Sequence, residues 1–172
     1  MFHAFDTEPA ARPLRRAQWL AMLARAPVSL LEPALAQHAE TPPQWLRAPE
    51  TGLVMVQGRA GGTGERFNLG EVTVTRCALR LGGTAPQPGA AVGVAYVLGR
   101  SHRRAQLAAV ADALLQDPAQ QAALDARLLA PVRAHLSALR AQRHARAQGS
   151  KVEFFTVARE AGGADMDEDD SE

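Results

Sequence analysis

Residues 58–66 read Gly-Arg-Ala-Gly-Gly-Thr-Gly-Glu-Arg, with four glycines and two arginines between runs that read as β-strands. Glycine accepts φ > 0 and lets another group approach the main chain, at a cost of about 0.5–1 kcal/mol each in lost chain entropy. Exposed backbone N–H groups and arginine side chains suit an anion, so Arg59, Gly61, Gly62, Thr63, Gly64, Glu65 and Arg66 are the leading candidates for a ligand or interface loop. The known phosphate-binding templates do not fit. A P-loop requires Lys then Ser or Thr after its last glycine and a helix to follow, whereas Gly64 is followed by Glu65, Arg66, Phe67 and a strand. G-x-G-x-x-G fails as well, because Phe67 stands where its third glycine belongs. A hairpin loop pressed against a neighbour and a direct anion contact are both open.

A second group is Gly99-Arg100-Ser101-His102-Arg103-Arg104, where a strand meets a helix. Ser101 is placed to be the N-cap. A first turn usually carries acidic residues because helix starts are partially positive, so Arg103 and Arg104 either extend into water, the simpler reading, or face a carboxylate or a phosphate. Arg100 and Ser101 are therefore a second candidate anion or interface site. The arginines at 127, 133, 140, 143 and 146 have no interleaved aromatics and no nucleic-acid motif beside them, and read as a solvated or subunit-facing helix surface. No catalytic constellation emerges. His135 and His144 lie nine residues apart on different sides of a helix, His-Glu-x-x-His is absent, and Glu65 between two arginines reads as an ion-pair member. The lone Cys77 excludes an internal disulfide and any multi-cysteine metal site, and its Thr/Val-rich surroundings make it a packing residue.

These groups need a scaffold. With 172 residues, 47% of them hydrophobic, the chain can bury a core of its own. No apolar run approaches a membrane span and the start lacks the features of a signal peptide, which gives a cytoplasmic expectation. Six of the 18 acidic residues lie in 165–172, leaving 19 basic against 12 acidic groups, or +7, in the remainder. The expected organisation is a flexible start over 1–12, one α+β domain over 13–161 and a disordered acidic tail over 162–172.

Within the domain, helices are predicted over 13–24 and 29–38, the second capped by Ser29, forming a helical hairpin. Strand-like stretches follow at 45–47, 53–57, 67–81 and 91–98, with another at 152–157. Breaks such as Gly82-Gly83 and residues 86–89 are too short for crossover helices. An antiparallel sheet of about four to five strands is expected. From Ser101 a stripe of Leu107, Val110, Ala111, Leu114 and Leu115 marks a helix. Asp117-Pro118 opens a further helical region with Leu124, Leu128, Val132, Leu136 and Leu139 on one side, broken or kinked at Pro131 and stopped by Gly149.

Five blocks carry a resemblance: Glu50-Thr51-Gly52-Leu53-Val54; Arg59-x-Gly61-Gly62-Thr63-Gly64-Glu65-Arg66-Phe67; Thr73-x-Thr75-Arg76; Tyr96-Val97-Leu98-Gly99-Arg100; and Lys151-Val152-Glu153-Phe154-Phe155-Thr156. In this order, over residues 14–160, the chain resembles the G subunit of the carbon-phosphorus lyase core complex, the PhnG family. The resemblance implies a noncatalytic subunit assembled with H, I and J subunits, and with the L subunit as a further partner, in the bacterial use of phosphonates. It implies a shared reaction in which the purine of ATP is displaced by a phosphonate to give a ribose 1-phosphonate 5-triphosphate. It supplies no catalytic residue for this chain, no cofactor bound by the chain alone, and no nucleic-acid or membrane partner.

Overall fold

The computed structural model describes residues 15–38, 42–82 and 91–152. The predicted flexible start, the acidic tail and most of the run at 152–157 lie outside them. Helices α1 (Arg16–Leu23) and α2 (Val28–Leu35), the latter continued by a 3-10 turn at Ala36–His38, precede strands β1 (Gln44–Arg59), β2 (Arg66–Arg80) and β3 (Val92–Leu98). Helices α3 (His102–Leu115), α4 (Pro118–Leu124) and α5 (Ala130–Gly149) follow. The two N-terminal helices are present, each packed on α3, but Pro27 rather than Ser29 stands at the N-cap of α2.

The sheet is antiparallel in the order β1-β2-β3. It has three strands among the described residues instead of four to five. The stretches at 45–47 and 53–57 belong to one long β1, which continues through Pro49 by shifting register between Trp45 and Arg47 and between Arg47 and Glu50. An edge strand can absorb a proline because its missing N–H is not required by a second neighbour.

Helix α3 lies on one face of this sheet and is the centre of the core. All five predicted stripe residues are buried, and so are Ala105, Ala108, Ala109 and Ala113. Alanines let the helix approach closely. A Cβ added to Gly93 would lie 1.9 Å from the carbonyl oxygen of Ala109, so glycine in β3 is required by the contact itself. Cys77, Leu79, Ala95 and Val97 supply the sheet side of the core, with Trp19, Leu23, Leu31 and Leu35 from the first two helices.

Among the described residues Asp112 is the one charged residue that is buried, with no exposed surface. It is fully supplied with donors: Arg16 Nε at 3.1 Å, Arg16 Nη2 at 2.7 Å, Trp19 Nε1 at 2.8 Å and the backbone N–H of Val94 at 2.9 Å. A buried carboxylate is tolerable only when paired and hydrogen-bonded in this way. Asp112 thereby ties α1 and β3 to α3. The Arg16 guanidinium also donates to Val92 O at 2.9 Å, and its hydrogen bonds to Asp112 hold its pKa above the ordinary arginine value.

Asp117 caps α4, accepting from Ala119 N at 3.0 Å, as its place before Pro118 predicts. Pro131 does not break the helix. The chain passes from α4 to α5 through a π turn at Asp125–Leu129, where Ala130 N–H reaches back to Asp125 O. Such a turn absorbs an irregular step in the hydrogen-bond ladder beside a proline that has no N–H to give. Leu124, Leu128 and Val132 are buried as expected, and Leu136 is partly so, but residues 140–149 are all exposed.

Candidate functional site: a projecting arm and its root

Strand β3 pairs with β2 only from Val74↔Leu98 to Arg80↔Val92. Beyond Thr73, β2 is paired with β1 alone, from Leu53↔Thr73 out to Arg59↔Arg66. At about 3.3 Å per residue this makes a two-stranded arm roughly 20 Å long. Val54 and Val56 stand on one face of β1, Leu53 and Met55 on the other, by the alternation of a strand. Leu53 is 63% exposed and Leu69 67%, and Val54, Met55 and Phe67 are also exposed. A hairpin without a third strand or a packed face is marginal in water, so an arm with apolar side chains on both faces calls for a neighbour.

The arm's tip is the glycine-rich loop. A 3-10 turn at Ala60–Gly62 carries the chain around, with Gly61 at φ 57° and Gly62 at φ 81°. Gly64 donates its N–H to Ala60 O at 2.9 Å, and a Cβ at this position would meet the same oxygen at 2.7 Å. Three glycines thus have local backbone reasons. Arg59 Nη1 donates to Gly64 O at 3.1 Å and closes the loop from within. Arg59, Gly61, Gly62, Thr63, Glu65 and Arg66 are exposed, and Gly64 is half-buried.

Where the arm leaves the body, three of the five blocks meet. Glu50 accepts from Arg47 Nη1 at 2.5 Å and from Arg76 Nε at 2.7 Å, and these hydrogen bonds hold its carboxyl below the usual range. On the other face Thr75, fully buried, donates to Gly99 O at 2.7 Å. That carbonyl can only accept, so the Thr75 proton is committed to it. Thr51 Oγ1, 3.0 Å from Thr75 Oγ1, must then be the donor between the two hydroxyls. Thr51 in turn accepts from His102 Nε2 at 3.1 Å, which fixes His102 as the tautomer protonated on Nε2. The chain of bonds pins the first residue of α3 to β1 and β2.

Ser101 caps α3, its Oγ accepting from Arg104 N at 3.2 Å. Of the first-turn arginines, Arg103 does not extend freely into water: Glu32 of α2 accepts from its Nε at 2.8 Å. Arg104 bonds to Leu98 O. Arg100 is exposed. Eight residues of extended strand separate Thr51 from Arg59, so the two candidate groups, Arg59 to Arg66 and Arg100 with Ser101, stand about 25 Å apart and form no common site. Sequence spacing gave no hint of the Thr51–Thr75–His102 chain. Asp112 was also missed; the signal was present, as a lone carboxylate within an apolar helical stripe.

Cys77 is buried at 2% exposure, and burial pushes its thiol up to about 11, which makes it an inert packing residue at neutral pH. Among the described residues no group of three or more His, Cys, Asp or Glu side chains is placed to hold a metal ion, and no helix is long and apolar enough to cross a membrane.

Over this arm, its root and the helical body, residues 14–160 match the family model described as phosphonate metabolism protein PhnG, and the chain belongs to that family. It is 39% identical over 162 residues to the alpha-D-ribose 1-methylphosphonate 5-triphosphate synthase subunit PhnG of Rhizobium meliloti (strain 1021), covering 92% of this chain and 98% of that protein.

Proposed function

We propose that this chain is a noncatalytic subunit of a phosphonate-processing assembly with H, I and J subunits, required with the H, I and L subunits for moving the ribose triphosphate of ATP onto a phosphonate with loss of the purine. Family membership and the near full-length relative support the subunit role. One observation carries it: an arm with exposed apolar side chains on both faces, which nothing else in the described chain covers. The arm is a docking element, and among the described residues the body that presents it brings together no constellation of nucleophile, base and oxyanion donors. The chain works in the cytoplasm and binds no cofactor by itself.

An alternative gives the loop direct contacts to ATP phosphates or phosphonate in a shared site, through Arg59 and Arg66. The geometry supports it less, because the glycines answer to the turn and Arg59 is already bonded to Gly64 O. Copurification with tagged H, I and J subunits tests the proposal. Capture by that assembly, with no turnover of ATP plus methylphosphonate by the lone chain, is the expected result. Metal-independent turnover by the lone chain would overturn it. Arg59→Ala and Arg66→Ala chains that assemble normally but weaken ligand binding would promote the alternative.

A further inference from the structure

The face of the sheet turned away from α3 carries an apolar strip that runs from the body onto the arm. Cys77, Leu79, Ala95 and Val97 face the core, so alternation turns Val74 of β2 and Val92, Val94, Tyr96 and Leu98 of β3 the other way. A strand with one face in water alternates apolar with polar residues. Strand β3 has no charged residue on either face, the pattern of a strand covered on both sides. Tyr96 and Leu98 are nevertheless 60% and 64% exposed, so no described element covers them.

On the arm the strip continues through Val54 and Val56. The shift between Val56 and Gln57 places an extra residue in β2, since Val56 faces Gly70 and Gln57 faces Asn68, with Leu69 unopposed. A bulge of this kind changes the side to which the residues before it point. A Cβ on Gly58 would lie 3.5 Å from the Phe67 ring and 3.9 Å from Leu69 Cβ. Gly58 is on the same side of β1 as Val54 and Val56, so Phe67 and Leu69 belong to this face too. From Arg76, which pairs with Tyr96, to Phe67 the strip spans nine positions of β2. That is about 30 Å, and on the arm its width is two strands, about 10 Å. A single helix is about 10 Å across and covers such a length in about 20 residues.

The charges at the body end of the strip state what the occupant must carry. Arg47, Arg76 and Arg80 stand on this face with one carboxylate, Glu50, which Arg47 and Arg76 already share. Arg80 Nε is buried and has no hydrogen-bond partner. A second copy of this chain would bring the same three arginines and the same shared Glu50, so it does not balance this end. We propose that one amphipathic helix of another subunit lies along this face, its apolar stripe on Leu98, Val54, Leu69 and Phe67 and its carboxylates beside Arg76 and Arg80. The inference rests on the subunit role proposed above and adds to it the face used, the extension onto the body and the chemistry of the partner.

The test places a photo-reactive leucine analogue at Leu69 or Leu98 of the full-length chain, coassembled with tagged H, I and J subunits, and maps the crosslinks by mass spectrometry. Both positions should join one partner segment, at residues spaced as i, i+3, i+4 and i+7, with Asp or Glu near the end joined to Leu98. Tyr96→Ser with Leu98→Ser, both on the body, should lower affinity for the tagged subunits about 30-fold without moving the thermal midpoint of the lone chain. Arg80→Glu should lower it as well. Crosslinks to every second partner residue, to a second copy of this chain, or from Leu69 alone would overturn the inference. So would full affinity in the Tyr96/Leu98 and Arg80 variants while Leu69→Ser weakens binding, a result that leaves the arm a docking element. Failure of the tagged subunits to capture the unaltered chain would overturn both readings.

Discussion

The two ends of β2 live in different surroundings. At its C-terminal end Cys77 and Leu79 are buried against α3 and flanked by two strands, while at its N-terminal end Phe67 and Leu69 stand exposed on a ribbon of two. The same strand thus joins a region that satisfies its own polar groups and apolar surface to one that does not. Asp112 with four donors marks the first; Leu53 and Leu69, each more than three-fifths exposed, mark the second. The body is held by its own contacts, and the arm is the part proposed above to meet a partner. Damage to each should be read by a different measurement.

The largest effect expected is from Asp112→Ala, which leaves Trp19 Nε1 and Val94 N without an acceptor in the core. Loss of one partner of a buried charged network costs about 3–5 kcal/mol, and half-exposed Arg16 can recover water, so a value near the lower end is expected in urea denaturation. A loss below about 1 kcal/mol would show that the body does not depend on this tie. Gly93→Ala comes next. Its methyl group would press on Ala109 O, and relief by moving α3 should cost about 1–3 kcal/mol, measured as a lower thermal midpoint.

Leu53→Ser with Leu69→Ser should do the opposite. The isolated chain should keep its stability within about 0.5 kcal/mol, as exposed positions do, while affinity for the partner subunits falls by about 2 kcal/mol in a titration. Unfolding of the lone chain by this pair would erase the distinction between body and arm. The smallest effect concerns pH. Burial and, after it, the charge of Arg127 lower the pKa of His38, so the folded chain binds its proton less readily than the unfolded one. The associated stability is present above the ordinary histidine pKa of about 6.5 and is lost as pH falls through the folded value. His38→Gln should flatten that slope in denaturation series between pH 7 and pH 5.

What the sequence made legible was local. Ser101 and Asp117 were readable as caps because their partners lie two or three residues away, and the α3 stripe was readable because burial follows the helical period. The two loop candidates were readable as unusual, and the glycine loop is indeed the tip of a hairpin. What escaped depends on distant contact. Arg16 and Trp19 reach Asp112 from more than ninety residues away, and Gly93 is explained only by a helix that follows it in sequence. Among the described residues the stretches at 45–47 and 53–57 are one strand, because Pro49 and Gly52 look like a break whereas an edge strand accommodates both. For Arg103 the sequence left water and an anion both open, and the Glu32 carboxylate beside it required the fold.

The π turn at Asp125–Leu129 has a further consequence, best seen as a matter of aim. Each residue turns a helix by about 100°, so an extra residue taken up inside the helix rotates everything beyond it. Deleting one residue there would restore an ordinary helical path and leave α4 seated on α3. It would also swing Arg140, Arg143 and Arg146 roughly a quarter of the way around the axis and draw the end of α5 back by about 1.5 Å. The π turn, far from the arm and its root, therefore sets which way the last described helix turns its arginines.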